Sequence, residues 1–255
     1  MTMLDKMVEA ALEAGAAVDR IYREGCEAEI KEDGSPVTEA DHAAEEIILK
    51  HLRGAYPDIA VLAEEEAAEG KIPELGPRFF LVDPLDGTKS FLKRSGEFTV
   101  NIALVENGVP THGVVQAPAL DALYAGAKGE GAWRRLGDHP SEPIATPDIP
   151  EARRIAVGSR DHHMPGTEEK LAELKVGEFI RAGSSLKFCR VAEGAAHVYP
   201  RFGPTMEWDT AAGQAVLEAA GGRVLALDGM KEAGPLTYGK REAGYRNPHF
   251  IAWGR

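Results

Sequence analysis

One stretch of the sequence decides the fold around the candidate site: Phe79-Phe80-Leu81-Val82-Asp83-Pro84-Leu85-Asp86-Gly87-Thr88-Lys89-Ser90-Phe91. Its four leading apolar residues predict a short strand buried on both faces. Pro84 has no backbone N–H to donate to a neighbouring strand, so we expect the strand to end there. Asp86-Gly87 indicates a turn. Thr88 is a favoured N-cap residue, which predicts a short helix from there to Lys93.

The two carboxylates of this stretch, Asp83 and Asp86, are therefore expected where a strand ends and a helix begins. Carboxylate oxygens are ligands that Mg²⁺ prefers. Backbone N–H groups at the start of a helix bind phosphate, and we expect those of Gly87 and Thr88 to hold phosphate oxygens. Taken alone, an Asp-x-x-Asp motif is more often a polar loop, so the rest of the chain must decide between the two interpretations.

The composition is that of an ordinary globular protein, and 255 residues suffice for one or two domains. The net charge of −12 indicates neither a nucleic-acid-binding surface nor an anionic membrane as partner. We therefore expect metal ions and a few Lys or Arg side chains to bind an anionic substrate locally. Cys26 and Cys189 are far apart and lack metal-ligand spacing, which predicts reduced thiols in a cytosolic protein.

The N-terminal segment 1–17 lacks the apolar core of a signal peptide. No apolar run approaches the length of a membrane span. We therefore expect a cytoplasmic protein without an integral membrane segment. Peripheral contact with the inner membrane face is left open.

The first half of the chain predicts an α+β domain over residues 1–135. Apolar positions at helical spacing over 4–24 predict an amphipathic helix. Thr38 and Asp41 have the spacing of a capping box and predict the start of a second helix. Strand-like segments follow, with a hairpin turn at Asn107-Gly108, and their short connections favour antiparallel pairing.

The second half predicts an α/β domain over residues 151–255, after a proline-rich connection at 136–150. Predicted strands and helices alternate in this half. Asp161-His162-His163 lies in a polar segment, and adjacent histidines point in different directions, which favours a solvated loop over a metal site. Trp208 stands beside a helix start, where a Trp is more often part of the core than a wall of the site.

Acidic residues stand at the ends of several predicted elements: Asp41, Glu64, Asp83, Asp86 and Asp209. Each is explained alone as a cap or a turn residue, and Asp41 is fully explained by its place in a first helical turn. Together they supply enough oxygen ligands for two or three Mg²⁺ ions if the fold brings them together. Periodicity alone does not show whether it does.

The segments Glu64-Glu65, Asp83-Pro84-Leu85-Asp86-Gly87-Thr88 and Trp208-Asp209-Thr210-Ala211-Ala212 carry a resemblance to a known family. In this order they resemble the signature of the Mg²⁺-dependent, lithium-inhibited phosphatases of the inositol monophosphatase superfamily. The chain is most similar to the CysQ branch, the 3′(2′),5′-bisphosphate nucleotidases, through four segments: 83–104, 183–194, 199–205 and 247–250. It departs from the pattern at 67–77 and 136–150, where the rim of the site would differ.

The resemblance implies a layered αβαβα sandwich with the site between its two halves. It also implies a set of Mg²⁺ ligands, namely Glu64, Asp83, Asp86, Asp209 and the carbonyl of Leu85. Thr88 resembles the residue that, with Glu64, orients and deprotonates a metal-bound water, and Asp41 resembles the partner that fixes the Thr88 hydroxyl. Glu65 and Glu66 would then lie behind the ligands or on the surface.

The chemistry of phosphomonoester hydrolysis is consistent with these assignments. The uncatalysed reaction is extremely slow, so much of the barrier must be lowered electrostatically. Paired Mg²⁺ ions lower the pKa of the attacking water and stabilise the leaving oxygen. A Thr hydroxyl has little basicity of its own, so Thr88 needs an acidic partner.

A bisphosphorylated nucleoside needs a second anion site and an apolar slot for its base. Lys187 and Arg201 are candidates for the anion site, with Ser184 and Ser185 as hydroxyl donors, although both cations are equally explained as surface charge. The complete predicted substrate-binding set is Glu64, Leu85, Asp86, Gly87, Thr88, Ser184, Ser185, Lys187, Arg201 and Asp209.

The resemblance implies hydrolysis of 3′-phosphoadenosine 5′-phosphate to AMP and phosphate, which in the family clears a by-product of sulfate assimilation. The first alternative is the same chemistry on inositol monophosphate or histidinol phosphate. The second is a catalytically silent nucleotide-binding relative, which we would expect to have lost a ligand. The expected partner is a small-molecule nucleotide, and the sequence leaves both a monomer and a homodimer open.

Overall fold

The computed structural model describes residues 1–31, 34, 36–159 and 167–255. Within these residues the helices are α1 (Met3–Glu24), α2 (Glu39–Ala55), α3 (Glu64–Ala68), α4 (Thr88–Leu92), α5 (Thr167–Glu173), α6 (Leu186–Ala192) and α7 (Ala211–Ala219). The strands are β1 (Ala28–Ile30), β2 (Pro36–Thr38), β3 (Ala60–Ala63), β4 (Arg78–Asp86), β5 (Thr99–Glu106), β6 (Val109–Ala117), β7 (Ala122–Ala127), β8 (Gly131–Leu136), β9 (Glu142–Ile144), β10 (Arg154–Gly158), β11 (Val176–Arg181), β12 (Val198–Arg201), β13 (Arg223–Asp228), β14 (Lys231–Pro235) and β15 (Phe250–Trp253). The segment Asp161-His162-His163 lies outside the described residues.

Two large sheets form the inner framework. The first has seven strands in the order β3-β4-β5-β6-β7-β8-β9, antiparallel except for the parallel pair β3 and β4. The second has six strands in the order β11-β10-β12-β15-β13-β14 and mixes parallel and antiparallel pairs. A short hairpin of β1 and β2 lies apart from both.

Helices lie on both sides of and between these sheets. α1 and α2 pack together on the first sheet, α6 and α7 lie between the sheets, and α5 contacts strands of the second sheet. The predicted layered αβαβα sandwich is confirmed by this arrangement.

β4 shows why its residues suit the middle of the sandwich. Phe80 and Val82 point into the apolar cluster under α1 and α2, whereas Phe79 and Leu81 point into the cluster shared with α6 and α7. All four are almost fully buried. The prediction of a strand buried on both faces is confirmed.

The prediction that Pro84 ends this strand is wrong, because β4 continues to Asp86. Its last pairing with β3 is at Val82, so the missing N–H of Pro84 interrupts no bond to that neighbour. On the other side the register shifts between Asp83 and Asp86, which is a β-bulge. Proline is tolerated at bulges.

The prediction that Thr88 is the N-cap of α4 is also wrong. Gly87 is the N-cap, with a left-handed φ of 97°, and Thr88 is the first helical residue. This leaves the Thr88 hydroxyl available for contacts away from its own helix. The capping box of Thr38 and Asp41 at the start of α2 is confirmed.

α7 lies unusually close to the first sheet because glycines face it. A Cβ added at Gly113 would lie 2.3 Å from the carbonyl oxygen of Ala212, and one added at Gly126 would lie 2.8 Å from the Cβ of Ala219. The helix that follows Asp209 therefore packs tightly on β6 and β7, where the glycines leave no room for a side chain.

Residues 136–150, predicted as a connection, include β9, which extends the first sheet by pairing with β8. The division into domains at this connection stays a prediction. No helix in the described part of the chain is long and apolar enough to cross a membrane.

Candidate active site

Three carboxylates from different parts of the chain meet between the two sheets. Glu64 is the first residue of α3, Asp83 lies in β4, and Asp209 precedes α7 by two residues. One oxygen of each lies within 4.8 Å of the others. Glu64 and Asp209 lie at helix starts, and Asp83 lies three residues before the end of β4, so neighbouring element ends create the cluster.

The cluster concentrates negative charge. Burial and then the neighbouring carboxylates raise the pKa of both Asp83 and Asp209 well above the usual range. Burial also raises the pKa of Glu64. Buried charges are normally paired or coordinate a metal, and hard carboxylate oxygens suit a cation such as Mg²⁺. The donor set therefore fits a divalent metal.

Asp86 and Leu85 border this cluster. Asp86 is outside the group of three, but its charge contributes to the raised pKa of Asp83 and Asp209. Its Oδ2 accepts a hydrogen bond of 2.6 Å from Ser184 Oγ. The backbone N–H of Leu85 donates to Asp83 Oδ1 at 3.0 Å. These contacts fix two predicted ligands in orientation.

Lys31 is a site residue that the sequence analysis missed. Its Nζ lies 3.1 Å from Glu64 Oε1 and 2.7 Å from Glu65 Oε1. Burial lowers the pKa of Lys31, but the two carboxylates outweigh this and raise it above its ordinary value. The contact spans 33 residues, so no local spacing could reveal it.

Thr88 and Asp41 contact each other as the resemblance implied. Thr88 Oγ1 donates to Asp41 Oδ1 at 3.3 Å and lies 3.4 Å from the carbonyl oxygen of Leu85. The other oxygen of Asp41 accepts hydrogen bonds from the backbone N–H and the hydroxyl of Thr38, each at 2.7 Å. Burial raises the pKa of Asp41.

A cavity of about 700 Å³ opens over these groups. Glu64, Asp86 and Asp209 are its acidic lining residues. Basic side chains also line it: Lys89, Lys93, Lys187, Arg201 and Arg246. Of these five, the sequence indicated only Lys187 and Arg201, because the other three belong to no motif that points to an anion.

Lys187 and Arg201 differ in their surroundings. Lys187 is almost fully buried and donates to the carbonyl oxygen of Ser184 at 2.5 Å. Burial lowers the pKa of Lys187 to about 8. Arg201 is partly exposed and donates to the carbonyl oxygen of Pro204 at 3.3 Å. Both side chains line the cavity, so neither is plain surface charge.

The two predicted serines have different positions. Ser184 lines the cavity. Ser185 is buried beneath it, and its Oγ donates to Asn101 Oδ1 at 2.6 Å and lies 2.8 Å from Thr99 Oγ1. Ser185 does not line the cavity, so its hydroxyl does not contact a substrate there. It is joined to Ser184 through Thr99, whose Oγ1 lies within hydrogen-bond distance of both serine hydroxyls.

The remaining predicted residues divide between cavity and core. Gly87 and Thr88 line the cavity, whereas Trp208 lies in the apolar core between the sheets. Glu65 is buried beside Lys31, and Glu66 pairs with Arg53.

Comparison with known proteins is in agreement with this geometry. A model of the inositol monophosphatase family matches residues 2–252. The chain belongs to this family. The family is metal-dependent, and the acidic cluster is a suitable place for a metal within this fold.

Relatives within the inositol monophosphatase family include nucleotidases. The chain is 43% identical over 250 residues to the 3′(2′),5′-bisphosphate nucleotidase CysQ of Escherichia coli K12, covering 97% of this chain and 98% of that one. It is similar to the crystal structure of CysQ from Bacteroides thetaiotaomicron, with a TM-score of 0.81, 41% identity and coverage of 98% and 96%. An IMPase from Thermotoga maritima has a TM-score of 0.79 at 26% identity, with coverage of 99% and 92%. The resemblance to the CysQ branch is confirmed.

Proposed function

We propose that this chain is an Mg²⁺-dependent phosphomonoesterase that hydrolyses 3′-phosphoadenosine 5′-phosphate to AMP and phosphate. The observation that carries the proposal is one cavity lined by both half-buried carboxylates and five cationic side chains, with the buried Asp83 beside it. The carboxylates suit metal ions, and the cationic side chains suit a substrate with more than one phosphate. Similarity to the E. coli nucleotidase supports this substrate class.

Two or three Mg²⁺ ions would be held by Glu64, Asp83, Asp86, Asp209 and the Leu85 carbonyl. When bound, they would supply Lewis acidity that makes a water more nucleophilic and stabilises the leaving oxygen.

The chain's own residues then prepare the attacking water. Because the Thr88 hydroxyl donates its proton toward Asp41 Oδ1, the lone pairs of Thr88 Oγ1 remain available to accept a hydrogen bond from water. The raised pKa of Asp41 suits a group that receives a proton through the hydroxyl. Glu64, also at the cavity wall, would orient the same water.

The basic side chains would bind the rest of the substrate. Lys187 and Arg201 would hold the second phosphate, the one that is not cleaved, with Ser184 as a hydroxyl donor. Pro204 and Met206 also line the cavity, are exposed and half-buried, respectively, and would supply apolar surface for the nucleobase. Gly87 and Thr88 N–H groups would contact the phosphate that is cleaved.

Hydrolysis of inositol monophosphate or histidinol phosphate by the same groups is the alternative substrate choice. The fold does not distinguish it, since the Thermotoga IMPase has almost the same TM-score as the Bacteroides CysQ. The catalytically silent alternative is disfavoured because every predicted metal ligand is present.

We place the reaction in the cytoplasm. Neither the comparisons nor the described residues support the peripheral contact with the inner membrane face that the sequence left open.

The test is phosphate release in the presence of Mg²⁺. The nucleotide, inositol 1-phosphate and histidinol phosphate are compared at matched concentration. A nucleotide preference of about a hundredfold or more, roughly 2.7 kcal/mol in transition-state binding, is expected. Comparable rates would contradict the substrate, and no release from any compound would contradict the enzyme.

A further inference from the structure

The helix that carries Glu64 has no cap of its own. Glu64 is the first residue of α3, and the N-cap residue is Ala63, whose side chain makes no hydrogen bond. The helix is only five residues long. The first N–H groups of any helix need acceptors from outside the helix, and a short helix without them has little to fix its orientation.

Glu45, from α2, supplies the missing acceptors. Its Oε2 accepts from the backbone N–H of Glu65 at 2.9 Å, and its Oε1 accepts from that of Glu66 at 2.9 Å. The side chain is 5% exposed. A single carboxylate therefore binds the two peptide groups that directly follow Glu64, using both of its oxygens.

Burial makes the charge of Glu45 unfavourable, although the two hydrogen bonds and the nearby charges of Arg53 and Lys71 act in its favour. Burial raises its pKa to about 7, and the charges of Glu65 and Glu66 also act to raise it, whereas the two backbone hydrogen bonds act to lower it. Glu66 is neutralised separately by Arg53 at 2.5 Å. Burying a carboxylate beside the like charges of Glu65 and Glu66 is unfavourable. We therefore attribute the contribution of Glu45 to the two hydrogen bonds that it accepts from α3.

We propose that Glu45 is a positioning residue that sets the place of Glu64 in the acidic cluster and thereby the affinity of the site for Mg²⁺. Asp83 lies in β4, inside the first sheet, whereas Glu64 starts a five-residue helix that follows the edge strand β3. The Glu45 bonds tie that helix to α2, which packs on the same sheet. The inference rests on the proposed function only in requiring that the site binds Mg²⁺; it does not depend on the substrate.

The test compares Glu45→Gln and Glu45→Asp with wild type and a matched control. Gln keeps one acceptor oxygen but turns an NH₂ group toward the second backbone N–H. Asp keeps both oxygens but shortens the side chain by one methylene. Glu46→Gln is the control, because Glu46 is the next residue on α2, is exposed, and undergoes the same change of charge.

Mg²⁺ binding is measured by titration calorimetry on the protein without substrate, at about pH 8, above the pKa of about 7 for Glu45. We expect the Kd for Mg²⁺ to rise about tenfold in Glu45→Gln, the lower end of the range for residues that support a metal ligand. We expect a rise of about threefold or more in Glu45→Asp, and a change of less than about twofold in Glu46→Gln. In the phosphate-release assay the same variants should recover most of their kcat at saturating Mg²⁺, because Glu45 does not touch the substrate.

A purely structural role would lower Tm and leave the Kd for Mg²⁺ of the folded protein unchanged. A Kd for Glu45→Gln within twofold of that for Glu46→Gln overturns the proposal. If Glu45→Gln does not fold, Glu45→Asp decides in the same way. Wild-type protein that binds Mg²⁺ but does not hydrolyse the nucleotide contradicts the proposed substrate and leaves this inference standing. Wild-type protein that binds no Mg²⁺ contradicts both.

Discussion

Thr88 Oγ1 lies 3.3 Å from Asp41 Oδ1, joining the first residue of α4 to the first turn of α2. The second oxygen of Asp41 is used by the capping box with Thr38. One carboxylate thus caps a helix and holds a hydroxyl at the cavity. The cap explains why Asp41 is rigid, and the hydroxyl contact explains how it acts on the site.

Replacing Thr88 by Ala should lower kcat by about 10²–10⁴-fold, the usual contribution of a positioned group that transfers a proton. Thr88→Ser keeps the hydroxyl and should stay within about tenfold of wild type. Steady-state phosphate release measures both, with Tm as the control for folding. An Ala variant as active as the Ser variant would show that the hydroxyl has no part in the reaction.

Asp83→Asn should separate activity from stability. Burial and neighbouring carboxylates raise the pKa of Asp83 well above its usual range. A carboxyl group with a raised pKa in the folded state becomes destabilising once pH exceeds its unfolded pKa, because the folded protein must then bury the charge. At neutral pH in a chelator, the Asn variant should therefore have a higher Tm than wild type.

Asp83→Asn should lower the phosphate-release activity by about a thousandfold or more. Mg²⁺ should raise the Tm of the wild-type protein but not that of the variant. Thermal unfolding with EDTA and with Mg²⁺ measures both effects. An Mg²⁺-dependent rise in Tm as large as that of wild type would contradict the role of Asp83 as a ligand.

We expect kcat/KM for the nucleotide to fall at alkaline pH because Lys187 loses its charge. Burial lowers its pKa to about 8, so the side chain loses its charge above that pH and no longer attracts a phosphate. The kcat/KM for the nucleotide, which reports the free enzyme, should fall about tenfold per pH unit above about pH 8. Lys187→Arg should lack this fall, because an arginine remains charged. The same decline in both proteins would assign it to another group.

We also expect the thermal stability of the protein to depend on pH through Lys187. Its folded pKa is depressed, so the penalty for burying the charged form is present below about pH 8 and decreases as pH rises from there toward 10.5. Lys187→Met should therefore unfold at a higher Tm than wild type at neutral pH, with the difference becoming smaller toward pH 10. A constant difference in Tm would contradict this explanation.

Gly113→Ala should disturb the site from a distance. The added Cβ would lie 2.3 Å from the Ala212 carbonyl oxygen, so α7 or β6 must move, and Asp209 lies just before α7. We expect a loss of about 1–3 kcal/mol in the free energy of unfolding and weaker Mg²⁺ binding. Gly54→Ala is the control, since a Cβ at Gly54 meets nothing within 4 Å. Equal stability of the two variants would contradict the close packing.

Local patterns in the sequence were sufficient to predict the buried strand through Leu81 and the capping box of α2. They failed at Pro84 and Thr88. A strand continues or ends according to its neighbours: the pairing of β4 with β3 stops at Val82, before Pro84, and a bulge against β5 accommodates the proline. Several strands were not predicted, among them β1, β2, β9, β14 and β15. β14 is mostly exposed and has no clear alternation, whereas β15, Phe250–Trp253, is a fully apolar run whose signal was present but short.

The candidate ligands were identified through the resemblance rather than through spacing. Lys31 and Glu45 were not identified, although both contact α3. Lys31 is 34 residues from its partner Glu65 in the sequence, and Glu45 is 20 residues from Glu65. Such contacts exist only once α2, α3 and the segment before β2 are packed together.

The central claim is that the cluster of Glu64, Asp83 and Asp209 holds the catalytic metal. The most direct measurement is a crystal structure of the protein with Mn²⁺ in place of Mg²⁺, using the anomalous signal of manganese to locate the ions. We expect an anomalous peak within about 2.5 Å of carboxylate oxygens of this cluster. Anomalous peaks confined to other parts of the protein, in crystals of an enzyme that is active with Mn²⁺, would contradict it.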